Sequence, residues 1–62
     1  MKRKDLVRHL RGHDCSPLRE GRKHTVFINV LRNKISTVPR HGEINDFLVR
    51  KICLDLEIPA PF

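Results

Sequence analysis

The segment His24-Thr25-Val26-Phe27-Ile28-Asn29-Val30 constrains the chain more than any other. It is rich in β-branched and aromatic residues, the composition of a strand. Val26, Ile28 and Val30 fall on one face of that strand; Thr25, Phe27 and Asn29 share the other. Turn-forming residues bound it on both sides. Glu20-Gly21-Arg22-Lys23 precedes it, with Gly21 able to supply a positive φ if the turn needs one, and Arg32-Asn33-Lys34 follows it. A strand between two tight turns calls for neighbours on both sides. Leu18–Glu20 supplies the first, on a sheet edge because Pro17 lacks an N–H. Ile35–Val38 supplies the third and stops at Pro39. The expected unit is an antiparallel three-stranded meander.

Helical patterns flank the meander. Leu6, Val7 and Leu10 form a narrow apolar stripe within residues 3–13, which Gly12 or Asp14 can close. Pro39-Arg40-His41-Gly42 reads as a loop: the Pro ends the strand and the Gly permits the turn. Asn45 then suits an N-cap and Asp46 a first helical turn. Phe47, Leu48, Ile52, Cys53 and Leu56 recur at helical spacing, with Ile58 just beyond; Arg50, Lys51 and Asp55 lie opposite. Pro59 and Pro61 end this helix. The order is α-β-β-β-α, an α+β fold with two helices covering one face of the sheet.

At 62 residues the chain is one domain, 1–62, and it buries only about 60% of the surface it exposes when unfolded. Apolar residues make up 39%, with three Phe and no Trp or Tyr. So few large side chains give the core first claim on Phe27 and Phe47 over any stacking on bases. No apolar run approaches the roughly 20 residues that span a bilayer. The basic start Met1-Lys2-Arg3-Lys4 meets Asp5 and Arg8 rather than the h-region of a secretory signal. A cytoplasmic chain with Cys15 and Cys53 reduced is expected, Cys53 as a core thiol. No C-x-x-C pair is present. His9 and His13 stand at i, i+4, but with no third ligand they read as surface histidines, so no metal site is assigned.

The formal charge of +6 is unevenly spread. Residues 1–13 hold Lys2, Arg3, Lys4, Arg8 and Arg11 against Asp5. Residues 14–42 hold Arg19, Arg22, Lys23, Arg32, Lys34 and Arg40 against Asp14 and Glu20. Residues 43–62 hold Arg50 and Lys51 against four carboxylates. The basic two-thirds point to a polyanion or an acidic protein partner. His24 stands where the turn Gly21-Arg22-Lys23 meets the best strand. An imidazole there, beside a guanidinium and an ammonium, has the setting of a general acid or base on a phosphodiester. On spacing alone, a structural or surface histidine is the simpler reading. Arg40 and His41 precede a helix N-terminus, which favours phosphate, while Glu43 and Asp46 partly cancel that field.

Gly21-Arg22-Lys23-His24 entering the second strand, followed by Thr37-Val38-Pro39-Arg40-His41 at the end of the third, resembles the HicA family of toxins. The helix from Asp46 to Leu56, with Arg50-Lys51-Ile52 at its middle, is similar to the family's, so the resemblance covers nearly the whole chain. It implies a fold similar to a double-stranded RNA-binding domain and an mRNA interferase, an endoribonuclease needing no metal or small-molecule cofactor. It implies a catalytic role for His24 and RNA contacts from Arg22, Lys23, Lys34, Arg40 and His41. The implied partner is a HicB-type antitoxin that masks the site. The family often carries Ser after the glycine, where this chain has Arg22; the histidine position is kept and charge is added. The alternative function for the same fold is a non-catalytic RNA-binding module, and a third is a protein-interaction domain whose basic face docks an acidic partner.

Overall fold

The computed structural model describes all 62 residues, Met1–Phe62. The elements follow the expected order: α1 (Arg3–Arg11), β1 (Cys15–Glu20), β2 (His24–Asn29), β3 (Lys34–Pro39) and α2 (Asp46–Asp55). The strands pair antiparallel in the order β1-β2-β3.

The buried face of β2 is the mixed one: Thr25, Phe27 and Asn29 point inward, and Val26 and Ile28 are only half-buried on the other side. Val30 lies beyond the strand and is exposed. Phe27 is the largest side chain on this face, and complete burial of its ring contributes about 1.5–3 kcal/mol. Leu6 and Leu10 from α1, and Val49, Ile52 and Cys53 from α2, join Phe27, Val38 and Cys15 in one core, so both helices cover the same face.

Asn29 is tolerated inside because both polar atoms of its side chain are partnered. Its Nδ2 donates to the Leu56 carbonyl at 2.8 Å, and its Oδ1 accepts from the backbone N–H groups of Leu31 and Arg32 at 3.1 and 3.2 Å. The same side chain thus closes the β2–β3 turn and ties it to the end of α2. Asn33 takes the left-handed conformation in that turn, with φ 57°.

Besides β2, which ends at Asn29, and α2, which ends at Asp55, four boundaries and burials differ from the sequence expectation. α1 stops at Arg11: the His13 N–H bonds only three residues back, to the Leu10 carbonyl at 3.0 Å, and Asp14 then turns left-handed at φ 66°. β1 begins at Cys15 rather than Leu18 and runs through Pro17. The Ser16–Ile28 pair carries the ladder bonds, so the missing N–H of Pro17 faces the free edge, and a bulge follows between Pro17 and Arg19. β3 extends one residue each way beyond Ile35–Val38. Phe47 is 85% exposed instead of buried. The core stripe of α2 is Val49, Ile52, Cys53 and Leu56, the i, i+3, i+4, i+7 set, and Phe47 lies on the opposite side of the helix.

The ends of α2 follow its sequence. Asn45 caps it through a 2.8 Å bond from the Leu48 N–H to Oδ1. Ile44 and Val49, at the N′ and N4 positions, are both buried, the arrangement of a hydrophobic staple. At the other end Glu57 is left-handed at φ 57°, and the Ile58 N–H reaches the Cys53 carbonyl at 3.0 Å. This is a Schellman closure, and it brings Ile58 onto the core.

Candidate nucleic-acid interface

Three segments meet at one end of the sheet: the β1–β2 turn, the loop after β3, and the start of α1. Gly21 shapes the turn. Its N–H donates to the His24 carbonyl at 2.8 Å, and a Cβ at Gly21 would lie 3.0 Å from that oxygen. Glycine serves here by close approach, not by positive φ, which no glycine adopts. The turn exposes Arg22 and Lys23 and delivers His24 as the first, exposed residue of β2. Its register partner is Pro39, and its side chain lies on the sheet face opposite Thr25, away from the helices.

A chain of polar contacts holds this corner. The Arg3 Nε donates to the Pro39 carbonyl at 2.8 Å, and its Nη2 donates to Thr25 Oγ1 at 3.0 Å. Thr25, only 1% exposed, donates in turn to Glu20 Oε1 at 2.7 Å. That carboxylate also receives the Arg40 Nη1 at 3.0 Å, and Arg40 reaches the Gly21 carbonyl at 3.3 Å. The Arg40 backbone N–H closes on the Lys23 carbonyl at 3.0 Å. The turn is thereby clamped to the loop that carries His41. α1 joins through the Arg3 N–H to the Gly42 carbonyl and a bridge between Lys2 and Glu43.

Of the residues expected to contact RNA, four gather here with His24: Arg22, Lys23, Arg40 and His41. They are not equivalent. Arg22, Lys23 and His41 are exposed and form no ion pair, whereas the charge of Arg40 is countered by Glu20. Lys34 is elsewhere. It pairs with Asn29 at the far end of β3, roughly 17 Å from Pro39 at about 3.4 Å per residue, and lies 3.7 Å from Glu57. Arg3, Thr25 and Glu20 complete the corner without a signal in the sequence. Arg3 and Glu20 are distant in sequence and meet only through Thr25, so no local spacing marks them.

The remaining candidates fall away from this corner. The N-terminus of α2 is occupied by its Asn45 cap, with Asp46 in its first turn and Glu43 just before it. Burial pushes the Cys15 thiol up, the Asp14 charge adding to it; burial likewise raises Cys53, with Cys15 as a second cause. Both are free, buried thiols in their protonated form, poor nucleophiles. His9 is engaged structurally: its Nε2 lies 2.7 Å from the Pro59 carbonyl, and its ring centroid is 4.6 Å from that of His13. No group of three or more His, Cys, Asp or Glu side chains stands together as a metal site. No helix is long and apolar enough to cross a membrane.

Compared with protein-family models, curated proteins and solved structures, the chain matches none of them.

Proposed function

We propose that this chain acts on RNA as a HicA-type toxin: an endoribonuclease that cleaves mRNA without a metal and arrests translation. The observation that carries this reading is the turn itself. It presents His24 to solvent beside the unpaired Arg22 and Lys23, on a backbone clamped from three sides. His24 takes the proton of a ribose 2′-OH, or gives one to the departing 5′-oxygen. The 2′-oxygen attacks phosphorus, the P–O5′ bond breaks, and a 2′,3′-cyclic phosphate and a 5′-hydroxyl result. Arg22 and Lys23 offset the charge that builds on the phosphoryl oxygens. One imidazole serves one of the two proton transfers, and His41 is the second imidazole carried to this corner. Cleavage of mRNA belongs to the cytoplasm, and the expected partner is a HicB-type acidic antitoxin that covers the corner. An adjacent reading frame encoding such a chain would support the pairing.

Incubation with RNA in EDTA tests the proposal. Cleaved products with 5′-hydroxyl ends are expected, and His24→Ala lowers the rate by about 100-fold or more while RNA affinity stays near wild type. Cleavage by His24→Ala at the wild-type rate rejects the catalytic role.

A second reading, a non-catalytic RNA-binding module, is favoured by one feature. The polar contacts of the corner run among Arg3, Thr25, Glu20 and Arg40 and bypass the His24 ring, so nothing orients that imidazole. RNA that is bound but stays intact at high protein concentration selects this reading. Absence of RNA binding at low salt rejects both.

A further inference from the structure

The two edges of the sheet are built differently. β1 is blunted by Pro17, by the bulge beside Leu18, and by the charges of Arg19 and Glu20. Such features protect an edge from pairing with another chain. β3 has no equivalent. The bond from the Arg40 N–H to the Lys23 carbonyl sets the alternation of the ladder, so Lys34, Ser36 and Val38 exchange hydrogen bonds with β2. The N–H and C=O groups of Ile35 and Thr37 therefore point outward. Pro39 also faces outward, but Arg3 already occupies its carbonyl. Between Lys34 and Pro39 the strand is Ile35-Ser36-Thr37-Val38, with no charge, no Pro and no bulge.

We infer that the chain self-associates through this edge. Two copies pair their β3 strands antiparallel about a two-fold axis at Ser36, so that Ile35 of each faces Thr37 of the other and the two sheets become continuous. The inference does not depend on the RNA reading.

Two features fit a second copy as the occupant. Ile35 and Thr37 are symmetric about Ser36, so the edge is its own complement and gains four backbone hydrogen bonds. Charge is also self-complementary at the axis. Ser36 Oγ donates to Asp55 Oδ2 at 3.1 Å, and Lys51 Nζ lies 2.9 Å from the same oxygen. Each copy therefore brings one cation and one anion to the axis. The basic corners lie at the Pro39 ends, so antiparallel pairing sends them to opposite ends of the joint sheet, beyond the screening length of about 8 Å in physiological salt.

Sedimentation equilibrium from micromolar to millimolar concentration, with amide exchange read residue by residue, tests this. A dimer is expected, with exchange at Ile35 and Thr37 slowed by about tenfold or more as it forms. Thr37→Pro removes an outward N–H that β2 does not use, and Ile35→Lys adds charge to the edge. Circular dichroism identifies a variant that has not folded. A folded variant weakens the dimer by about tenfold or more. A chain that stays monomeric at millimolar concentration overturns the inference. So does a dimer that both folded variants leave intact, or one in which Ile35 and Thr37 exchange as fast as in the monomer.

Discussion

Arg40 and Glu20 join the two segments that frame His24: Nη1 of the one lies 3.0 Å from Oε1 of the other, and Thr25 donates to the same oxygen. The pair makes Arg40 a clamp for the turn more than a free cation. It also places a carboxylate beside the exposed Arg22 and Lys23, where it would oppose the RNA of the proposed function.

Glu20→Gln separates these two roles. Both partners are about half exposed, at 50% and 60%, so the stability loss stays below about 1 kcal/mol. Releasing Arg40 strengthens RNA binding and steepens its salt dependence, by about 0.7 in the log–log slope if one more phosphate is neutralised. Cleavage slows at the same time, because the turn is less firmly held. Binding titrations at several salt concentrations and a single-turnover cleavage assay measure the two effects on the same protein.

Asn29→Ala is expected to cost about 1–3 kcal/mol, the penalty for leaving a buried carbonyl without its donor. The orphaned group is the Leu56 carbonyl at the end of α2, and the turn N–H groups of Leu31 and Arg32 lose their acceptor as well. Urea unfolding reports the loss as a lower midpoint with an unchanged slope. A cost near zero shows that water replaces the amide and that the side chain is not what ties the turn to the helix.

Acid weakens the fold partly through Asp55. The hydrogen bond from Lys51 holds its carboxyl below the usual carboxylate range; burial works against this and the Ser36 hydroxyl adds to it. With the folded value depressed, the stabilisation is fully present above the unfolded value of about 3.9. It is lost as pH falls through the lower folded value. Asp55→Asn therefore flattens the acid limb of stability against pH and leaves its shape at neutral pH unchanged. An acid limb identical to wild type removes Asp55 from the account.

Thiol labelling of the native protein is expected to be slow at both cysteines. Burial raises both thiols and keeps reagent out. Cys53 reports opening of α2 and Cys15 opening of β1, so labelling rates rise with denaturant in step with unfolding. Rapid reaction of Cys15 in the absence of denaturant shows that the α1–β1 junction opens independently of the core.

Most elements of this fold are legible in the sequence because their signals are local. Val26, Phe27 and Ile28 mark a strand through side-chain shape, and Leu6 with Leu10 marks a helix face by spacing. Asn45 marks a helix start through one hydrogen bond three residues away. Phe47 is misleading for the same reason. It shares a helical spacing with Leu54 as readily as with the core stripe, and period alone leaves open which stripe meets the sheet. The site is legible in part. Arg22, Lys23 and His24 adjoin in sequence and stay together, while Lys34 is carried to the opposite end of the sheet by the direction of β3.

The sequence by itself determined the order of elements, the antiparallel meander and the basic turn ahead of β2, since each rests on residues close together along the chain. Tertiary structure decided which face of β2 is buried and that Arg40 is held by Glu20. Those outcomes depend on contacts between residues far apart in sequence, Arg3 with Thr25 and Pro39 or Asn29 with Leu56. Such contacts exist only after the chain has folded back on itself, and no local pattern encodes them.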